Sequence, residues 1–165
     1  GMSAEQKIAM ISVLSKAAGM HGMVGGQFID IQATNSDMTL EQLQAMHSLK
    51  TGALIRAALA LGGIAAGASE QQLAALDEYG THIGLAFQVV DDILDVTADA
   101  ATLGKTAGKD AAQDKPIYVS VMGLERSRDY AYSLHAQAHS ALQASGLGDT
   151  TALQALADMV VQRGF

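Results

Sequence analysis

Residues 87–95 read FQVVDDILD, three aspartates within five positions of a run otherwise made of apolar side chains and one glutamine. On a helix Asp91 and Asp95 lie one turn apart on one face, and Gln88 sits three residues before Asp91. The polar groups then collect on one stripe, with Phe87, Val89, Val90, Ile93 and Leu94 around it. Carboxylates at a spacing of four repel each other by roughly 0.2–0.5 kcal/mol in water, and by more where they are partly buried. The stripe therefore needs either full solvation or a cation. Paired acids on a polar surface helix are common and usually inert, but the apolar neighbours here place these acids at the edge of an apolar region.

The surrounding chain supports the helical reading. One proline in 165 residues, 4% aromatic residues and abundant Ala, Leu, Gln and Met predict helices throughout and no sheet. A first helix is expected over about 3–31, ending in the turn-rich ATNSD at 33–37. Thr39 and Gln42 have the spacing of a capping box and open a helix reaching Ala66, which Gly67 ends. Ser69 and Gln72 repeat that spacing before the helix that carries FQVVDDILD. Residues 96–115, VTADAATLGKTAGKDAAQDK, lose the apolar period and read as a long surface loop, a length that usually serves a function. Pro116 suits the first turn of a further helix that Gly123 breaks, with helices over 124–143 and 151–162 after it.

Length fits one domain, taken as 2–165, with Gly1 before Met2 read as a cleavage scar. The absence of cysteine excludes disulfides and thiolate metal sites, so any metal is expected to be hard. A net charge of −7 without a basic run argues against nucleic acid as a partner. No uninterrupted apolar run reaches the roughly 18 residues of a membrane span, and no signal peptide is recognisable, so a cytoplasmic protein is expected.

Mg2+ suits the aspartates best, being held by one or two carboxylates and completed by water and phosphate oxygens; the EF-hand pattern for Ca2+ is absent. Lys50 and Thr51 open an apolar helical run, HSLKTGALIRAALALGG. The 96–115 segment holds Lys105, Lys109, Asp110 and Lys115. Its GKT is no phosphate-binding P-loop, because position 99 is Asp and no strand precedes it. A lysine there can still meet phosphate as a point charge. Gly19, Gly22, Gly25 and Gly26 fall within the first expected helix, where each costs about 1 kcal/mol relative to alanine. Close packing or approach of a ligand would explain them. Gln27 and Asp30 would share a face and point into one cavity. His135 and His139, one turn apart without a zinc-protease pattern, are expected to be solvated.

Taken in order, GMVGGQFID, KTGALIRAA, GLAFQVVDDILDV, TLGKTAGKD and DKPIY resemble the C-terminal half of the bacterial farnesyl diphosphate synthases, short-chain trans-isoprenyl diphosphate synthases. The resemblance implies an all-α fold, a partial isoprenoid-synthase helical bundle whose N-terminal half is expected to be missing. It implies three Mg2+ ions in a full site, of which this chain carries one wall: Asp91 as a direct ligand, Asp95 and Asp110 through water, and Asp92 orienting neighbouring cations. Lys50 and Lys105 match lysines on the allylic diphosphate, Lys115 matches a further basic residue nearby, and Thr51 and Gln88 match groups that stabilise the allylic cation. Phe87 resembles the aromatic beside the second substrate.

The implied activity is Mg-dependent condensation of isopentenyl diphosphate with dimethylallyl or geranyl diphosphate. The chain has no second run of paired aspartates, and the basic residues that the resemblance assigns to isopentenyl diphosphate belong to the half expected to be missing, so it is expected to be inactive alone; the tail QRGF also lacks the final lysine or arginine often seen in the family. Product length stays open among C10, C15 and C20. The alternative is a non-catalytic helical interaction fragment. Uncovered apolar faces are expected to drive formation of a homodimer or higher oligomer.

Overall fold

The structure, a computed structural model, describes residues 1–33, 37–102 and 116–163, the side chains of 98–102 excepted. Every regular element among them is helical: α1 (Ala4–Ala18), α2 (Met23–Gln32), α3 (Leu40–His47), a π-helical turn (Ser48–Gly52), α4 (Ala53–Ala66), α5 (Glu70–Thr102), α6 (Tyr118–Met122), α7 (Leu124–Ala144) and α8 (Thr151–Gln162). The expected all-α fold is the fold observed.

Local chemistry sets most helix ends. The Thr39 hydroxyl accepts from the Gln42 N–H while the Gln42 side chain accepts from the Thr39 N–H, and Ser69 and Gln72 do the same. A third such box, Ser3 with Gln6, starts α1. Each satisfies two backbone donors that a helix start leaves open. Gly67 ends α4 in the left-handed conformation, φ 73°.

Three boundaries differ from expectation. The single helix over 3–31 is two helices, α1 and α2, separated at residues 19–22, so Gly19 and Gly22 lie in a break. The helix expected from 39 to 66 is interrupted by the π turn. The helix bearing the aspartates does not stop at Asp95 but runs to Thr102, because alanine-rich VTADAAT contains no glycine or proline to end it. The remainder of the expected loop, with Lys105, Lys109, Asp110 and Lys115, lies outside the described residues.

At the centre, α5 packs along α7 on one side and α4 on the other, with α6 and α8 also against it. Tyr79, Val89, Val90 and Ile93 of α5 are fully buried with Leu43, Met46, Tyr118 and Leu134. Each large apolar side chain withdrawn from water contributes roughly 1.5–3 kcal/mol. The Tyr79 hydroxyl donates to the Leu153 carbonyl at 2.8 Å, tying α5 to α8. By contrast, α1 rests on α4 and α2 on the π turn, and Ile8, Ile11, Leu14, Val24, Phe28 and Ile31 remain exposed.

Contrary to the expected absence of any such stretch, Ala4–Gln32 and Leu40–Ala66 are long and apolar enough to cross a membrane by length and composition. The difference arises because consecutive helices run together. Both stretches are interrupted, the first at residues 19–22 and the second by the π turn, and both hold charged side chains, Lys16 and Asp30 in one, Lys50 and Arg56 in the other.

Candidate metal and diphosphate site

The π turn Ser48–Gly52 carries Lys50 and Thr51 where α2, α3, α4 and α5 meet. Inserting an extra residue into a helical turn re-aims the side chains that follow, and such turns recur at functional sites. Two glycines on neighbouring helices make room for it. A Cβ on Gly26 of α2 would come 2.2 Å from the Lys50 nitrogen, and one on Gly84 of α5 would come 3.1 Å from the Gly52 Cα. Close packing is therefore the reason for Gly26. Gln27, expected to share a cavity with Asp30, is exposed instead, whereas Asp30 is buried.

From α2, Asp30 meets the turn directly. The Lys50 ammonium donates to Asp30 Oδ2 at 2.8 Å, with the Asp30 side chain only 9% exposed and that of Lys50 32%. His47, just before the turn, is buried with its ring 5.4 Å from that of Tyr118, and its Nδ1 has no hydrogen-bond partner among the described residues. Burial, reinforced by the Lys50 charge and opposed by Asp30, pushes its imidazole down to about 4.

Across the junction, the Thr51 hydroxyl donates to Gln88 Oε1 at 2.6 Å. This bond joins the KTG turn to the FQ pair of α5, one helical turn ahead of Asp91. Asp91, Asp92 and Asp95 then separate by environment. Asp91 is half-buried, Asp92 buried and Asp95 exposed. Burial raises the Asp91 carboxyl above the usual range against the opposing pull of Arg163, with the Asp95 charge adding to the rise. Asp92 Oδ2 accepts the Tyr118 N–H at 2.8 Å. Burial pushes Asp92 up to about 6 despite that bond, with the neighbouring acids contributing. Asp92 thus holds the start of α6 on α5, a structural bond that its place in the motif did not reveal.

Two further groups were not legible in the sequence. Arg163, just beyond α8, donates to Asp91 Oδ1 at 3.2 Å, and its guanidinium lies 4.5 Å from the centre of the Phe87 ring. One arginine therefore covers both residues. The other is the cluster His135, His139 and Asp158 on α7 and α8. The two histidines, expected to be solvated, are half-buried and bonded to Asp158, which no sequence signal pairs with them.

The structure thus joins Thr51, next to Lys50 in the turn, to Gln88 of α5, and Arg163 to Phe87 and Asp91, with Asp92 and Asp95 on the same helix. Lys105, Asp110 and Lys115 fall outside the described residues. Half-buried Asp91 beside exposed Asp95 is an all-oxygen donor pair of the kind a hard dication takes, and Asp91 already holds a cationic side chain.

A family model described as polyprenyl synthetase matches residues 2–158. The farnesyl diphosphate synthase of Escherichia coli (strain K12) is 47% identical over 165 residues, covering 98% of this chain and 55% of that protein. The chloroplastic geranylgeranyl pyrophosphate synthase of Catharanthus roseus is 39% identical over 164 residues, covering 99% of this chain and 46% of that one. The solved geranyltransferase of Helicobacter pylori, complexed with magnesium and isoprenyl diphosphate, superposes with a TM-score of 0.76 at 34% identity, over 98% of this chain and 53% of that one. The chain spans about half the length of the curated relatives it matches. A match over nearly the whole sequence, on a chain whose KTG turn and aspartate-rich helix meet through Thr51 and Gln88, means that this chain belongs to the polyprenyl synthetase family.

Proposed function

We propose that the chain forms one wall of a trans-prenyltransferase site that joins isopentenyl diphosphate to an allylic diphosphate. The observation that supports this reading is the Thr51–Gln88 bond, which ties the turn bearing Lys50 to α5 one helical turn ahead of Asp91.

Asp91, with Asp95 and Asp110, would hold Mg2+, and Asp92, whose Oδ2 accepts the Tyr118 N–H, would orient the neighbouring cations. When bound, Mg2+ neutralises the diphosphate leaving group so that the allylic carbon–oxygen bond can ionise. Lys50, Lys105 and Lys115 add positive charge on the same group. For Lys50 this means exchanging Asp30 for a phosphate oxygen, a short movement for a flexible, partly exposed side chain. The Gln88 amide and Thr51 hydroxyl, already fixed by their mutual bond, present dipoles to the cation that develops on the allylic carbon. Phe87 and its apolar neighbours exclude water from that cation. The double bond of isopentenyl diphosphate then attacks it, and loss of a proton completes the product.

Calorimetry with geranyl diphosphate, with and without Mg2+, tests the site. Binding should require both, and Asp91→Ala should abolish the Mg2+ dependence; an undiminished response in that variant would overturn the assignment. With a single aspartate-rich run, the 165-residue chain by itself is proposed to bind without turnover. Product formed by the purified chain would contradict that.

The uncovered apolar face of α1 and α2 supports self-association with a second copy of the chain as its cover. Ile8, Ile11 and Met20 are each about two-thirds exposed, a concentration unusual for a monomer. Light scattering at micromolar concentration should give a mass above that of one chain.

A further inference from the structure

Where α7 and α8 pack, His135, His139 and Asp158 converge. His135 and His139 are one turn apart, so their rings share a face of α7 and meet edge-on with centres 4.5 Å apart. Short-chained Ala138, Ala141 and Ala157 are buried where α7 and α8 pack, which lets Asp158 reach across from α8. The two Nε2 atoms lie 2.7 and 2.9 Å from the same Asp158 oxygen and 3.1 Å from each other. In this triangle the edge between the two nitrogens can be a hydrogen bond only if one ring gives up its bond to Asp158. Two imidazole nitrogens and a carboxylate oxygen held this close together are what a single cation would satisfy together.

We propose that His135, His139 and Asp158 form a binding site for a borderline transition-metal dication of the Zn2+ class, separate from the aspartate site on α5. Two nitrogens among three donors disfavour Mg2+, which takes oxygen, and favour Zn2+ and its neighbours. Donors on a tetrahedral Zn2+ at about 2.0–2.1 Å stand roughly 3.3 Å apart. The observed separations are a few tenths of an ångström shorter, and half-exposed side chains on two helices can open by that amount. Three protein ligands leave a fourth position to water. The bound ion links α7 to α8, and α8 carries Arg163 to Phe87 and Asp91 just beyond its end. The site is therefore a staple on the helix that covers the candidate active site.

The test is titration of Zn2+ into the metal-free, folded chain by calorimetry and thermal melting. One equivalent should bind, and the melting temperature should rise by about 5–10 °C at a free Zn2+ concentration of about a hundred times Kd. His135→Ala and His139→Ala should each weaken binding by more than about tenfold. Asp91→Ala should leave it unchanged, which separates this site from the proposed Mg2+ site. Zn2+ bound equally well by the double histidine variant would overturn the proposal. Should the variants not fold, the unmodified chain decides: Zn2+ must shift the imidazole NMR resonances of His135 and His139, and shifts confined to the other histidines, or none at all, would equally overturn it.

Discussion

On α5 Tyr79, Val90 and Ile93 are fully buried, whereas on α1 Ile8 and Ile11 leave 67% and 66% of their surface in water. The two regions have similar apolar content but different surroundings. The core helices have many partners, α5 above all, while α1 packs chiefly on α4 and α2 on the π turn and α3. The candidate site lies at the seam between them: Lys50 is held from α2 by Asp30, and Thr51 from α5 by Gln88. Its geometry depends on the closed region for rigidity and on the open region for the counter-ion of Lys50.

This difference predicts a graded response. Ile93→Ala should lower the free energy of unfolding by about 2–5 kcal/mol, because a cavity opens among side chains that cannot all collapse into it. The same measurement by urea denaturation on Ile11→Ala should show a change within about 0.5 kcal/mol. Equal losses for the two would erase the distinction between the regions.

His47 tests the edge of the closed region by pH. Its folded value, about 4, lies below the unfolded 6.5, so the fold favours the neutral imidazole. The resulting stability is fully present above about pH 6.5 and is lost as pH falls through the window down to about 4. It amounts to an order of 3 kcal/mol. Asp92, raised to about 6, works the other way, gaining stability as pH falls over much of that range. The difference between the unmodified chain and His47→Gln isolates the histidine: the variant should lose less stability on acidification, as followed by melting at pH 7 and pH 5.

At the seam itself, Gly26→Ala should cost about 1–3 kcal/mol and separate Lys50 from Asp30, because the added methyl would fall on the backbone of Lys50. Chemical shifts of the Asp30 carboxyl should report the separation. If the pair stays intact in a variant of normal stability, the close approach of α2 is not what positions Lys50. The smallest effect on unfolding is expected for the paired change Ile8→Ser and Ile11→Ser, within roughly 0.5 kcal/mol. Its effect should appear in association instead, lowering the mass seen by light scattering.

Sequence legibility followed the range of the interactions. The boxes Thr39–Gln42 and Ser69–Gln72, the stop at Gly67 and the bounds of α8 were all readable, since each depends on residues within a few positions of one another. FQVVDDILD was correctly placed on a helix for the same reason, and the ordered motifs identified the family. Periodicity assigns each aspartate a face but not a neighbour. Hence Asp92 resembled its companions in sequence, yet it bonds the backbone of Tyr118, twenty-six residues away.

By itself the sequence determined the helical class, most helix ends and the residues of a candidate site: carboxylates on α5 and a lysine–threonine pair ahead of α4. Only the tertiary structure decided the break at residues 19–22, the π turn between Gly26 and Gly84, the pairing of Lys50 with Asp30, the arrival of Arg163 at Asp91 and the meeting of His135, His139 and Asp158. Arg163 and Asp91 are seventy-two positions apart, and Asp158 lies on a different helix from both histidines. Local hydrogen bonding and side-chain period act within a turn or two of chain, whereas these groups meet only because whole helices pack, and which side chains then face one another is set by the close fit of their surfaces.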